Sequence, residues 1–254
     1  MKNLKYIFSL FLILYMCRTV PYTERKQLIF FPLEIERTLG EEAFLEIKKS
    51  EKFSDDKSVN ERVERVGRNI INAAGLRKKE KWDFRVIDND KVINAFALPG
   101  GKVCVYTGLL KMIENDDELA VVIGHEIGHI VARHGGERMS QLLLAQLGGM
   151  ALEIALQKER HKTIEIAKIA YGVTVQLGVL LPFSRKHEEE ADYLGLIFMA
   201  KAGYNLESAL SFWEKMEKKS GDKIPEFLST HPSHGTRIKN IKKWIPEIKR
   251  KYGK

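Results

Sequence analysis

His125 and His129 stand four residues apart, with Glu126 between them, in the stretch His125-Glu126-Ile127-Gly128-His129. On a helix that spacing stacks two imidazoles on one face, about one turn apart. Two imidazoles so placed can share one zinc ion at about 2.0–2.1 Å. Glu126 projects ~100° around the helix from His125. It cannot easily share the metal, but it can reach a water held there. That geometry is the physical content of the H-E-x-x-H (HEXXH) pattern. A chain with seven histidines shows the bare pattern by chance in ~1–2% of cases, so context has to decide. Val121, Val122, Ile123, Ile127, Ile130 and Val131 make the segment apolar enough to be buried. Buried polar groups without partners cost about 1–3 kcal/mol each, so this trio needs something to bind. The bland alternative is a pair of core histidines satisfied by hydrogen bonds.

A catalytic zinc needs a third protein ligand and one open position. The best source is Arg185-Lys186-His187-Glu188-Glu189-Glu190-Ala191-Asp192. Glu188 and Asp192 share a helix face, so Glu188 could ligate while Asp192 orients a ligand imidazole through its other ring nitrogen. Spacing alone leaves Glu189 and His187 open in place of Glu188.

These side chains need elements to hold them. Asn115 and Glu118 are spaced as a capping box, with Asp116 and Asp117 favouring a helix start. The metal-bearing helix is predicted from about Asp117 to His134, stopped by Gly135-Gly136. Upstream, Val63, Val66, Ile70 and Ile71 recur at helical spacing from Ser58 to Gly75. Trp82–Ile87, Asn94–Leu98 and Lys102–Tyr106 read as strands of a small antiparallel sheet bordering the cleft. Downstream, Arg138–Leu181 is helical, with breaks expected near Gly148-Gly149 and Arg160. Its part from Ile164 to Leu181 is a core or membrane-facing helix and not a span, because Glu165 and Lys168 interrupt it. Further helices follow from Arg185 to Lys201 and over 206–219 and 236–251, with a kink or break expected at Pro246. The fold class is α+β, mainly helical.

The 254 residues, 44% hydrophobic, suit one globular domain with added segments. The net charge of +8 raises the question of nucleic acid, but no zinc finger or RNA-binding motif accompanies it. Two cysteines, Cys17 and Cys104, exclude a disulfide framework and a cysteine-built zinc site. Cys104 reads as a buried, inert thiol. Lys2 and Lys5 precede an apolar run from Tyr6 to Met16, as in a secretory signal. Residues 1–16 are therefore read as a signal peptide, 17–55 as a tether packing on the domain, and 56–254 as the enzyme domain. Leu14 suits lipoprotein cleavage before Cys17, whereas Met16 does not. An uncleaved anchor or an ordinary cleaved signal also fits.

With these residues in hand, the chain resembles the HtpX-like and CAAX-prenyl-protease metallopeptidases, family forty-eight. The resemblance rests on the HEXXH stretch and on Glu188-Glu189-Glu190-Ala191-Asp192, similar to that family's E-x-x-A-D motif. It rests also on His231-Pro232-Ser233-His234-Gly235-Thr236-Arg237 and on Asn94-Ala95-Phe96-Ala97-Leu98-Pro99. It covers about residues 17–250 and is closest to the single-domain, Oma-like lipoprotein branch. It implies a gluzincin-type zincin fold with one zinc on His125, His129 and Glu188, Asp192 behind them, and Asn94, Ala95, Phe96 and Ala97 on a substrate-binding edge strand. The function expected is a zinc metalloendopeptidase for protein quality control in the bacterial envelope. It would be anchored through a lipid on Cys17, facing the periplasm, with polypeptide substrates. Glu126 would be general base. His231 or Arg237 would steady the oxyanion; His231 would alternatively latch the open position shut or serve only as a loop residue. His134, His161 and His234 read as structural or exposed.

Overall fold

The computed structural model describes residues 17–157, 159, 161–176, 180–219, 225–231 and 235–253. The signal-like segment 1–16 and Pro232, Ser233 and His234 of the His-Pro loop lie outside them. The described chain opens with a two-stranded antiparallel ribbon, β1 (Cys17–Thr19) and β2 (Lys26–Leu28). Helix α1 (Leu33–Ser50) follows. It is longer than the short Glu41–Lys49 helix its apolar spacing predicts. Among its residues only Glu36, Gly40 and Phe44 are buried, too sparse a stripe to mark eighteen residues.

Helix α2 (Lys57–Ala73) is capped by Asp56, whose carboxylate accepts from the Ser58 N–H at 2.8 Å. Its Val63, Val66, Ile70 and Ile71 are fully buried. Gly75, with φ +71°, ends it as a left-handed residue should. Gly67 leaves room for the Phe84 ring, which would stand 2.4 Å from any Cβ there.

Strands β3 (Asp83–Ile87), β4 (Ala95–Leu98) and β5 (Lys102–Tyr106) form one sheet in the order β3-β5-β4. The β4–β5 pair is antiparallel, but β3 runs parallel to β5, so the sheet is mixed where an antiparallel one was expected. The apolar run of β5, buried at every position, is the sign of a central strand covered on both faces. The antiparallel hairpin of the sheet is β4–β5, and β3 is not part of it. The chain passes over β5 and lays β4 on its far side.

Short α3 (Thr107–Leu110) leads to α4 (Asp116–Val131), where the Asn115 side chain accepts from Glu118 N–H at 2.9 Å. The helix ends at Val131, earlier than expected. The stop is Arg133, held at φ +55° by the buried Glu36 carboxylate and by the Phe31 carbonyl at 3.0 Å. Helix α5 (His134–Ala155) starts at once and includes Gly135 and Gly136. A Cβ on Gly136 would meet Glu36 Oε1 at 2.2 Å, so this glycine serves packing and not termination. Gly148 likewise sits inside α5, under the Tyr171 hydroxyl of α6 (His161–Val175). The tyrosine donates to the Ala145 carbonyl at 2.9 Å. Beyond Ser140, α5 has no buried residue, and α6 has none among its described residues. The two form an arm displaying Leu144, Leu147, Met150, Ile154, Ile166 and Ile169. That removes the core alternative for residues 164–175 of the predicted 164–181 helix; residues 177–179 lie outside the described residues. Among the described residues no helix is long and apolar enough to cross a membrane.

Helix α7 (Leu181–Ala202) returns alongside α4, starting four residues before the expected Arg185. Gly124 and Gly128 of α4 lie against Gly195 and Ala191 of α7 at backbone contact. Helices α8 (Ser208–Lys219), α9 (Glu226–Thr230) and α10 (Arg237–Tyr252) close the core with Phe212, Trp213 and Phe227. α10 runs unbroken through Pro246, which lies on its exposed side, where the lost hydrogen bond faces water.

Candidate metal centre

The close α4–α7 crossing decides where the polar groups meet. His125 and His129 leave α4 toward α7, Glu126 leaves it beside them toward β4 and His231, and Glu188 and Asp192 leave α7 toward α4. His231, just after α9, closes the group. The ligand atoms of His125, His129, Glu188 and His231 all lie within 4.8 Å of one another. Glu188 carboxylate oxygens stand 3.2 Å from His125 Nε2 and 3.5 Å from His129 Nε2. The two Nε2 atoms are 3.0 Å apart. His231 Nδ1 lies 3.2 Å from His125 Nε2 and 3.1 Å from Glu188. Glu189 and His187, which spacing left open, turn elsewhere: Glu189 approaches Asn240 at 3.5 Å, and His187 bonds Glu137 at 2.9 Å.

Hydrogen bonds fix what these imidazoles present. His125 Nδ1 lies 2.8 Å from Asp192 Oδ1, so that nitrogen carries a proton and Nε2 offers a lone pair. His129 Nδ1 lies 2.8 Å from His134 Nδ1, and His134 Nε2 lies 2.9 Å from Glu190. An ionised carboxylate only accepts, so His134 donates to it, His129 donates to His134, and His129 Nε2 also offers a lone pair. Two Nε2 atoms 3.0 Å apart beside a carboxylate need a positive charge between them, which a shared proton or a metal ion supplies. Donor atoms about 2.0–2.1 Å from a tetrahedral ion stand ~3.3–3.4 Å apart, close to the separations here. The set of two imidazole nitrogens and a carboxylate suits a zinc-like ion.

The electrostatics agree. Burial alone would depress His125, but Asp192 and Glu188 outweigh it and push it up to about 10. The charge they stabilise is one a metal ion would supply in place of the proton. Burial holds His129 well below the imidazole range, ready to donate a lone pair. Burial would raise Glu188, but His129 and His125 bring it well below the carboxylate range. Glu126 is the opposite case: burial raises it, against the pull of His231 and His125. Its Oε1 has no hydrogen-bond partner among the described residues and lies 3.4 Å from His231 Nε2. A buried carboxylate oxygen without a partner, aimed at a donor cluster, is an acceptor waiting for a solvent proton.

Arg237 lies under the site. Its Nε donates to Asp192 at 2.7 Å, its NH2 group to Glu188 at 3.0 Å and its NH1 group to the His231 carbonyl at 3.3 Å. Its guanidinium also covers the Trp213 ring at 3.9 Å. Those contacts occupy it with holding two carboxylates and the His231 carbonyl. β4 is the sheet edge beside the site, and Phe96 and Ala97 line a cleft of about 310 Å³ with Glu126, His129, Glu188 and His231. Asn94, buried, caps the Ala95 N–H at 2.9 Å. Sequence reading missed His134 and Glu190. His134 is five residues past His129 and would face away on a continuous helix. Only the left-handed Arg133 turns it back.

The profile of peptidase family M48 matches residues 57–245, a span that contains Glu126 and all the clustered donors. The chain belongs to peptidase family M48. Among similar proteins, mitochondrial metalloendopeptidase OMA1 of Schizosaccharomyces pombe is 34% identical, over 90% of this chain and 66% of that protein. The Arabidopsis thaliana protein of the same name is 41% identical over 62% of this chain and 30% of its own length. The putative beta-barrel assembly-enhancing protease of Vibrio cholerae is 29% identical over 76% of this chain and 40% of that one. This M48 chain thus spans less than two thirds of each of these relatives.

Proposed function

We propose that this M48 chain is a zinc-dependent metalloendopeptidase that cleaves unfolded or damaged membrane and envelope proteins. The observation that carries the reading is the buried Glu126 Oε1, without a hydrogen bond among the described residues, beside the His125–His129–Glu188 cluster. A zinc ion held by those three residues would supply Lewis acidity, acidifying water and polarising a carbonyl. Glu126 takes the proton of the attacking water at Oε1 and returns it to the leaving amine. Its raised affinity for protons, from burial, suits both tasks. Asp192 and Arg237 keep His125 and Glu188 from rotating. The free edge of β4 holds an extended substrate through backbone groups, which favours unfolded segments and loose sequence preference.

His231 Nδ1 adds a fourth donor to the cluster and closes the place that substrate needs, so it serves as a resting latch. His231→Ala then raises basal cleavage, whereas an inactive His231→Ala chain contradicts the latch and puts His231 into catalysis. The exposed apolar arm of α5 and α6, and Cys17 at the apolar groove beside it, support a membrane-surface location. A lipid on Cys17 and a periplasmic-facing envelope position belong to this proposal. The same arm favours a second reading, a membrane-anchored zinc-binding assembly factor with little proteolysis. Casein digestion separates the two. Chelator-sensitive cleavage that Glu126→Gln abolishes supports the peptidase, and cleavage that survives Glu126→Gln removes Glu126 from its role.

A further inference from the structure

Behind the His125–His129 pair lies a second buried polar group that the proposed chemistry does not use. It joins α5, α7 and the N-terminal ribbon. His134 and Glu190 are 4% and 7% exposed. Glu190 receives Arg25 Nε at 2.8 Å and the Thr23 hydroxyl. The other edge of Arg25 clamps Glu137 with two bonds, at 3.0 and 2.8 Å, and Glu137 in turn accepts from His187 at 2.9 Å. The His134 and His187 rings stack 4.2 Å apart, which fixes the plane of His134.

We infer that His134 is a positioning residue for the metal site, locked from the N-terminal ribbon by Arg25 through Glu190. The chain of donors runs one way. Arg25 fixes the Glu190 carboxylate, which accepts a hydrogen bond from His134 Nε2–H. His134 Nδ1 must then accept, and so it receives a hydrogen bond from His129 Nδ1–H. The outcome is the His129 tautomer whose Nε2 faces Glu188 with a lone pair. Asp192 does for His125 in one step what His134, Glu190 and Arg25 do for His129 in three. A ligand imidazole held by such a partner binds metal about 10–100-fold more tightly than one left free. The ribbon that begins at Cys17 is thereby a working part of the metal site, so detaching it weakens metal binding without touching a ligand.

The inference rests on His129 being a metal ligand, and the test separates the two claims. Zinc affinity is measured on the full chain by competition with a chromogenic chelator, beside the thermal midpoint of the zinc-free chain. His134→Phe keeps the bulk and removes the acceptor, and it should weaken zinc about 10–100-fold. His134→Asn restores an acceptor at the Nδ1 position and should recover part of that loss, which a mere packing role would not. Arg25→Met, on the partly exposed ribbon, should weaken zinc in the same direction by less, and it serves if His134→Phe does not fold. Wild-type affinity in Arg25→Met, or equal loss in His134→Phe and His134→Asn, overturns the relay. A wild-type chain that binds no zinc overturns the metal reading instead.

Discussion

Gly128 lies between the two site histidines of α4 and gives the tightest approach to α7. A Cβ there would stand 2.8 Å from the Ala191 carbonyl oxygen and 3.1 Å from its Cα. Ordinary contact begins at 3.4 Å, so Gly128→Ala drives α7 outward by about 0.6 Å, the difference between 3.4 and 2.8 Å. The obstacle is backbone and cannot swing aside. Overpacking of this kind costs about 1–3 kcal/mol, and the gain of alanine over glycine in a helix returns about 1 kcal/mol. The net effect on stability is therefore small, about 0–2 kcal/mol of loss. The effect on the site is larger, because Glu188 stands one turn before Ala191 and retreats from both imidazoles. Zinc affinity should fall on the order of 10-fold. Gly172 in α6 is the control, because a Cβ there would meet nothing within 4 Å. Gly172→Ala should raise stability by up to about 1 kcal/mol and leave zinc binding alone. Thermal denaturation of the zinc-free chain and chelator competition read the two quantities. A Gly128→Ala chain stabilised like Gly172→Ala, with unchanged zinc affinity, would refute the claim that this crossing sets the position of Glu188.

Three further outcomes follow from the same contacts. Asp192 accepts from His125 on one oxygen and from Arg237 on the other. Asp192→Asn must turn an amide donor toward one of those donors, so zinc affinity drops about 10–100-fold; an unchanged affinity contradicts that role. Burial would raise Asp116, but Arg62 and Arg65 outweigh it and hold the carboxyl below its ordinary range. Its ion pairs therefore stabilise above the unfolded carboxyl pKa of about 3.9 and lose effect as pH falls through the lower folded value. Asp116→Asn should cost about 0.5–1 kcal/mol at pH 7 and nearly nothing at the acid end of a denaturation series; a cost that persists there counts against the pairing. Burial pushes the Cys104 thiol up to about 12, so it should resist thiol reagents in the native chain and react after denaturation. Rapid native labelling would contradict its burial.

How much the sequence revealed depends on where each cause lies. The α2 stripe and the Asn115 cap are local, and both elements stand where spacing places them. The end of α4 is not local. Gly135-Gly136 resembles a stop, yet the stop is Arg133, and the reason for Gly136 is Glu36, about a hundred residues away in sequence. Gly148 misleads in the same way, because Tyr171 is what needs the space. The parallel pairing of β3 with β5 depends on a loop path that no period of two encodes. At the site, periodicity places His125 with His129 and Glu188 with Asp192, but it cannot say which acidic residue faces which helix. The left-handed turn that brings His134 back to His129 carries no signal in residue type, since arginine rarely adopts it.

The central claim is that His125, His129 and Glu188 hold one zinc ion. Its most direct test is the zinc content of the purified chain and of Glu188→Gln by elemental analysis after dialysis. One zinc per wild-type chain is expected, with a large loss in the variant. A folded wild-type chain without zinc, or a Glu188→Gln chain that keeps its full share, would contradict it.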